Sequence, residues 1–268
     1  MRHYENFPVG SILLPSKLRE PIALIYAFAR SADDFADEGI EPAEERLGRL
    51  ALYSREIDAI EAGDEPDLPL FRALRPVIRR HALPVQLFRD LLSAFAQDVT
   101  KGRYANFAEL GDYCRRSANP VGRLLLHLFG ETGPHLVERS DAVCTSLQLI
   151  NFLQDVEIDF AKDRIYLPLD EMRRFGVDEA QIARADAGGG WQPLMKVQIE
   201  RARGLLEQGA PLAGFFPGRI GLELRMTVLG GRRILHKLEA CGGDVFRHRP
   251  LLRPLDWAWM LWRAIAAD

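Results

Sequence analysis

Two acidic patterns in the sequence could bind a divalent cation. In the first, Asp33 and Asp37 are four residues apart, as are Asp34 and Glu38. On a helix, residues at that spacing share a face, and two like charges there are destabilising unless a cation lies between them. Magnesium prefers oxygen ligands and takes phosphate oxygens and waters alongside carboxylates. The pattern therefore fits a magnesium site, and it fits equally well an acidic helix end in solvent.

A second polar pattern follows in the middle of the chain. Gln148, Asn151, Asp155 and Asp159 recur at steps of three, four and four residues, which places them on one face of a predicted helix. Their neighbours are apolar: Leu147, Leu149, Ile150, Phe152 and Leu153. A polar stripe on a buried helix is costly unless it is paired or bound to a metal. Two acidic helices facing each other across a cavity would hold a magnesium-bound diphosphate. An ion-pair network with basic residues of a facing helix is the alternative.

Two further segments add polar groups. Arg164 could bind phosphate oxygens through its planar guanidinium, and Tyr166 could add a hydroxyl donor. Arg164 could equally pair with a nearby carboxylate. In the segment Tyr113–Gly122, Pro120 predicts a helix kink that could direct side chains into a cavity. The residues of this segment alone favour an ordinary bent core helix.

Apolar residues recur at helical spacing almost throughout, and no stretch alternates as a strand does. The spacing predicts helices over residues 16–38, 43–62, 68–82, 84–101, 107–129 with a break near Pro120, 135–162, 169–175, 178–185, 191–208, 216–241 and 254–267. Because no linker or low-complexity tract interrupts the 268 residues, we predict one all-α domain over residues 1–268, a helical bundle around a central cavity.

Composition narrows the class of protein. A net charge of −3 and scattered arginines argue against a nucleic-acid partner. Three cysteines without CxxC spacing favour a reducing, cytoplasmic setting. The first ten residues lack the apolar stretch of a signal peptide, and no apolar run approaches the ~20 residues that span a bilayer. We therefore expect a soluble protein, or one that lies peripherally on the inner face of a membrane.

The segment Asp256–Arg263 contains three of the four tryptophans. Trp favours membrane interfaces, so this segment indicates a peripheral contact with a membrane. Packing of these tryptophans into the core of the last helix is the alternative, and both interpretations stay open.

Four motifs in this order resemble the squalene/phytoene synthase family, and the resemblance covers nearly the whole chain. They are the Asp33–Asp37 box, the Tyr113–Gly122 segment, the Gln148–Asp159 stripe and the tail Arg164–Pro168. Within the family, Glu5–Val9 and Ser117–Pro120 are most similar to the hydroxysqualene synthases of bacterial hopanoid biosynthesis. The resemblance implies an all-α isoprenoid-synthase fold with a central cavity.

The resemblance also implies roles for individual residues. Magnesium would be held by Asp33, Asp37, Asn151, Asp155 and Asp159. The diphosphate would be bound by His3, Asn6, Arg30, Gln148, Arg164, Tyr166 and Arg249. Tyr113 would stand beside the reacting carbons as a catalytic residue.

At four positions the sequence departs from the commoner family pattern. Gln154 stands where many members carry Arg, and Asp163 where many carry Gly. Ser117 and Asn119 stand where members that only condense carbon chains often have Val and Gly. Since their segment is expected to line a hydrophobic cavity, we expect these two polar residues to act in catalysis by holding one reactive water.

The implied enzyme is an isoprenoid diphosphate lyase or transferase that converts presqualene diphosphate and water to hydroxysqualene and diphosphate with magnesium. One alternative is condensation of two farnesyl diphosphates to presqualene diphosphate or squalene. A lesser one is a non-catalytic relative that acts in binding or assembly. The reaction needs no hydride and the sequence has no Gly-rich dinucleotide fingerprint, so no nicotinamide cofactor is expected. Whether a presqualene diphosphate synthase acts as a partner stays open.

Overall fold

A computed structural model describes residues 15–37 and 41–266 of the chain. Within these ranges the protein has no strand, and an isolated β-bridge joins Arg103 and Ile165. The α-helices are α1 Ser16–Asp37, α2 Ala43–Ala62, α3 Pro69–Arg80, α4 Val85–Thr100, α5 Phe107–Ser117, α6 Asn119–Phe129, α7 Pro134–Gln154, α8 Val156–Ala161, α9 Leu169–Arg174, α10 Glu179–Ala183, α11 Trp191–Gly209, α12 Gly218–Ala240 and α13 Pro254–Ala266, with a 3₁₀ helix at Ala210–Phe215. The all-α prediction is confirmed.

The helix predicted over residues 107–129 is interrupted, as expected. Ala118 separates α5 from α6, and Pro120 lies in the first turn of α6. Proline is well suited to that turn, because its missing N–H would have no helical partner there.

The prediction of one continuous helix over residues 135–162 is wrong in one respect. Asp155, with φ −110° and ψ 15°, separates α7 from α8. The N–H groups of Asp155 and Asp159 still donate to the carbonyls of Asn151 and Asp155, at 3.0 and 2.8 Å. The polar stripe is therefore divided between two helices that follow each other with little loss of hydrogen bonding.

The described residues divide into two compact units. The N-terminal unit comprises the described residues up to Lys101 together with Arg115–Asp141. The C-terminal unit comprises Gly102–Cys114 and the described residues from Ala142 onward. The single domain with a central cavity remains a prediction.

Aromatic side chains fill the core of the N-terminal unit. Phe28 of α1 is fully buried, and the centre of its ring lies 5.1 Å from that of Phe88 and 5.8 Å from that of Phe71. The hydroxyl of Tyr53 in α2 donates to Ser31 of α1 at 3.0 Å. Burial of each large apolar side chain contributes about 1.5–3 kcal/mol. This core fixes the position of α1, which carries the first acidic pattern.

In the C-terminal unit, α12 packs closely against α7 and α11. A Cβ atom on Gly231 of α12 would lie 2.9 Å from Leu206 and 3.4 Å from Ile150, so glycine permits this approach. Trp191 of α11 is fully buried, and its ring N–H donates to the carbonyl of Gly243 at 2.8 Å. These contacts hold α7, which carries most of the second polar pattern. No helix in the described ranges is long and apolar enough to cross a membrane.

Candidate active site

The first acidic pattern occupies the C-terminal turns of α1. Nη2 of Arg30 lies 2.5 Å from Oδ1 of Asp34, and Nη1 lies 3.4 Å from Oδ2 of Asp33. The last turn of α1 contains no basic residue, although the C-terminal end of a helix carries partial negative charge that favours cations. Asp33, Asp34 and Asp37 therefore crowd a place that is electrostatically unfavourable for carboxylates.

The carboxyl group of Asp33 shows the consequence of this crowding. Its withdrawal from solvent and the charges of Asp37, Asp98 and Asp34 raise the pKa of Asp33 to about 7, against the lowering effect of Arg30. Asp98 is a buried residue of α4 that was not predicted to belong to the site. It continues the apolar stripe of Leu91 and Phe95 at helical spacing, and a carboxylate in such a stripe was the signal that could have identified it.

Helix α2 holds the end of α1 in place. Nε of Arg46 donates to the carbonyl of Phe35 at 3.0 Å, and the ring of Phe35 packs edge-on against Tyr53 at 5.1 Å. The arginine thus satisfies a carbonyl that the helix end leaves without a helical partner. The carboxylates are held on a rigid support.

The donor set of this cluster fits magnesium, because it consists of carboxylate oxygens whose like charges favour neutralisation. In the described ranges, no three His, Cys, Asp or Glu side chains converge as a ready metal site. Magnesium ordinarily takes only one or two carboxylates and completes its octahedron with phosphate oxygens and waters.

In the C-terminal unit, the polar stripe has the burial that its spacing predicts. Its members are half-buried, whereas their neighbours Leu149, Ile150, Phe152 and Leu153 are buried. Asp155 is bound by Arg249, whose Nε lies 2.6 Å from Oδ1 of the carboxylate. This ion pair joins a residue predicted to bind metal to one predicted to bind diphosphate.

Gln154 reinforces this contact. Its side-chain amide donates to the carbonyl of Pro250 at 2.6 Å. Gln154 and Asp155, consecutive at the end of α7, thus hold the consecutive residues Arg249 and Pro250. Gln154 therefore binds the chain segment that bears Arg249 and supplies no charge of its own.

Four aromatic side chains form a buried group, here called the aromatic cluster: Tyr104, Tyr113, Phe152 and Tyr166. Phe152 and Tyr166 stack with ring centres 3.8 Å apart, and Tyr113 lies 5.8 Å from Tyr166 and 5.4 Å from Tyr104. Tyr113 and Tyr166 were predicted as site residues from their motifs, whereas Tyr104 and Phe152 were not. Aromatic faces attract positive charge, so this cluster could stabilise a carbocation.

The backbone around Asp163 is held against the segment at Gly102 and Arg103. The N–H of Ile165 donates to the carbonyl of Gly102 at 2.8 Å, and Arg103 binds the carboxylates of Asp163 and Glu179, each at 2.8 Å. A Cβ atom on Gly102 would lie 2.2 Å from the carbonyl oxygen of Asp163, so only glycine fits there. Asp163 has φ +58°, a conformation that favours glycine. The neighbouring Arg164 is buried.

Ser117 ends α5 and Asn119 begins α6. Asn119 is buried, and Oγ of Ser117 is buried without a hydrogen-bond partner in the protein. A buried hydroxyl left unpaired costs about 1–3 kcal/mol, and a bound water would satisfy it.

The remaining predicted site residues lie on α7 and α8 or outside the described residues. Gln148 and Asn151 are half-buried on α7, and Asp159 lies on α8. Two others, His3 and Asn6, lie outside the described residues. The roles of all these residues remain predictions.

The fold is that of the helical isoprenoid synthases. It is similar to the crystal structure of squalene synthase HpnC from Alicyclobacillus acidocaldarius, with a TM-score of 0.82 and 37% identity over 90% of each chain. The family model of squalene/phytoene synthases matches residues 1–256. The chain belongs to the squalene/phytoene synthase family.

Curated relatives agree with this assignment. The hydroxysqualene synthase of Zymomonas mobilis is 34% identical over 251 residues, which are 92% of this chain and 80% of that protein. The hydroxysqualene synthase of Rhodopseudomonas palustris is 32% identical over 266 residues, 98% of this chain and 89% of that protein. These relatives are isoprenoid synthases, which confirms the predicted family and supports an enzymatic role.

Proposed function

We propose that this protein converts presqualene diphosphate and water to hydroxysqualene and diphosphate, in a magnesium-dependent step towards hopanoid precursors. The buried, unpartnered hydroxyl of Ser117 carries the proposal. Water quenches carbocations, so an enzyme that only condenses carbon chains must exclude it from the reacting centre. A hydrating enzyme needs instead one bound water, and a buried hydroxyl without a protein partner can bind it.

The residues at the two acidic patterns would bind the reacting diphosphate. When bound to Asp33, Asp37, Asn151, Asp155 and Asp159, magnesium supplies charge neutralisation that makes diphosphate a better leaving group. The phosphate oxygens would be bound by the side chains of Arg30, Gln148, Arg164, Tyr166 and Arg249, together with those of His3 and Asn6. The bond between carbon and the diphosphate oxygen then breaks, and its electron pair leaves with the diphosphate.

The aromatic cluster would protect the cation that remains. Rearrangement of this cation opens the cyclopropane ring and joins the two chains head to head. Tyr113 is 3% exposed and lies among three other aromatic rings. These faces stabilise positive charge while keeping bulk water away.

Ser117 and Asn119 would hold the reacting water. The water oxygen forms the new bond to carbon and the water loses one proton to the departed diphosphate, so that hydroxysqualene and diphosphate are the products. No hydride is consumed, and we therefore propose that the reaction proceeds without a nicotinamide cofactor. A presqualene diphosphate synthase would supply the substrate as a partner.

The test is an incubation of the purified protein with magnesium and presqualene diphosphate, without reductant, followed by identification of the products. We expect hydroxysqualene and free diphosphate, and no product from Asp155→Asn. The similar structure from Alicyclobacillus acidocaldarius is that of a squalene synthase, which favours the alternative of condensing farnesyl diphosphate. Inactivity on presqualene diphosphate, with presqualene diphosphate or squalene formed from farnesyl diphosphate, would establish that alternative. Inactivity on every substrate would favour a non-catalytic relative.

A further inference from the structure

Helix α13 exposes an unusual amount of apolar surface. Nine large apolar side chains are exposed within the described ranges, and six of them lie on this one helix: Leu255, Trp257, Trp259, Leu261, Trp262 and Ile265. Large exposed apolar patches mark sites that contact a protein, a ligand or a membrane.

The exposed side chains lie around a narrow buried stripe. Asp256, Met260 and Ala264 recur every four residues and face α12. Opposite that stripe lie Leu255, Trp262 and Ile265, which are 84%, 63% and 58% exposed. The remaining tryptophans of the helix, each about two-fifths exposed, flank this outer face. The outer face is therefore apolar along the whole helix, which is too short to span a bilayer.

The fold holds this helix firmly. The carboxylate of Asp256 lies 2.5 Å from Nζ of Lys237 and 2.6 Å from Nε of Arg233, and it accepts the N–H of Arg253 at 2.7 Å. Although burial raises the pKa of Asp256, these hydrogen bonds hold it well below its usual range. A buried and fully bonded anchor fixes which face of α13 turns outward.

Positive charge flanks the apolar face at both ends of α13. Arg253 and Arg263 at the two ends of α13 are exposed. Of the two acidic residues between Asp244 and Ala266, Asp256 is already neutralised by its basic partners. A second copy of the chain, packed face to face, would bring the same arginines together, whereas anionic headgroups would complement them.

We propose that the outer face of α13 docks on an anionic lipid bilayer, with its tryptophans at the level of the headgroups. Tryptophan prefers that level, and a short apolar helix flanked by arginine lies in the plane of the interface. This proposal does not rest on the proposed reaction, because the docking surface can be measured without substrate.

The test uses the full chain and two kinds of vesicle, phosphatidylcholine alone and phosphatidylcholine mixed with phosphatidylglycerol. Trp191 is fully buried, so a change in tryptophan emission reports on α13. We expect sedimentation with the anionic vesicles, a blue-shifted emission, quenching by brominated lipid, and binding to neutral vesicles that is weaker by roughly tenfold or more.

The variant Leu255→Ser, Trp262→Ser, Ile265→Ser should lose at least about tenfold in vesicle affinity. Its matched control is Phe215→Ser, an exposed aromatic residue of the 3₁₀ helix. Likewise, Arg253→Ser with Arg263→Ser should remove the preference for anionic lipid, whereas Arg72→Ser on α3 should not. Absence of binding by the unmodified protein at low salt would overturn the proposal, as would equal binding to both vesicles. A dimer in solution that the triple variant abolishes would assign the face to a second copy instead.

Discussion

Arg249 and Asp155 form an ion pair in which Nε of the arginine lies 2.6 Å from Oδ1 of the carboxylate. Under the proposed function, Asp155 binds magnesium and Arg249 binds the diphosphate that the metal accompanies. Until the substrate arrives, the guanidinium of Arg249 therefore occupies the carboxylate that would bind magnesium, and this carboxylate occupies the guanidinium that would bind diphosphate. Substrate binding would exchange this single contact for two, and the pair keeps the carboxylate charge compensated in the meantime.

Arg249→Gln should have opposite effects on metal binding and on diphosphate binding. Without the arginine, Asp155 is free to bind a cation, so Mn²⁺ measured as a probe in the absence of substrate should bind more tightly. Loss of a charged hydrogen bond to diphosphate costs about 1.5–3 kcal/mol, so kcat/KM should fall roughly 10- to 100-fold. The control is Arg247→Gln, which removes a neighbouring exposed arginine. Equal effects of the two variants would show that the ion pair has no special role.

Gln154→Leu should loosen the chain that bears Arg249. The change removes the hydrogen bond to the carbonyl of Pro250 and keeps a buried side chain of similar size. We expect faster amide hydrogen exchange around residues 246–253 and a higher KM with a smaller effect on kcat. Gln181→Leu is a matched control, because Gln181 is also buried and donates to the carbonyls of Asp186 and Gly188 at 2.9 Å. If Gln181→Leu raises KM equally, the effect is a general loss of stability.

Ser117→Val combined with Asn119→Gly should change the product and not only the rate. Without a bound water, the cation is expected to lose a proton, so the share of hydrocarbon should rise and that of hydroxysqualene should fall several-fold. The buried Ser140 of α7 provides the control, Ser140→Ala. Unchanged production of hydroxysqualene at the normal rate would rule out a role for this pair in holding water.

Asp33→Asn should stabilise the metal-free protein in a pH-dependent way. The pKa of Asp33 is raised from 3.8 to about 7, so between these values the folded protein retains a proton that the unfolded chain has lost. The contribution of this carboxyl group to the free energy of unfolding therefore falls as pH rises through that range. The melting temperature of the variant should exceed that of the unmodified protein at pH 8 and match it near pH 4, while activity is lost. The exposed Asp67→Asn should show neither effect.

Asp163→Gly should stabilise the fold by up to about 1 kcal/mol, because glycine adopts the positive φ without strain. The variant loses the ion pair with Arg103, but the side chain of Asp163 is exposed in that pair, and Arg103 keeps its ion pair with Glu179. Asp163→Ala loses the same contact without relieving the backbone, so it should be destabilising. Chemical denaturation of the three proteins measures the order, and a glycine variant no more stable than the alanine variant would contradict it.

Much of the fold follows from the sequence because apolar spacing is a local signal. The bounds of α2 match the prediction, and Pro120 signalled the interruption between α5 and α6. The interruption at Asp155 was not predicted, because no Pro or Gly marks it. The backbone of Asp155 leaves the helical conformation, while its N–H and its carbonyl keep their helical hydrogen bonds to Asn151 and Asp159.

The candidate site was predictable only where its residues lie close together in the sequence. Asp33 and Asp37 share one helix, but Asp98 affects Asp33 from α4, which depends on how helices pack. Gln154 and Pro250 are 96 residues apart, so no spacing rule connects them. Phe152 looked like an ordinary core residue until the structure placed it against Tyr166.

The most direct test of the proposed reaction is turnover of presqualene diphosphate in H₂¹⁸O, with mass analysis of both products. If the carbon–oxygen bond breaks and a bound water captures the cation, hydroxysqualene should carry one ¹⁸O and the diphosphate none. Label in the released diphosphate, together with an unlabelled alcohol, would mean cleavage at phosphorus and would contradict ionisation of the substrate.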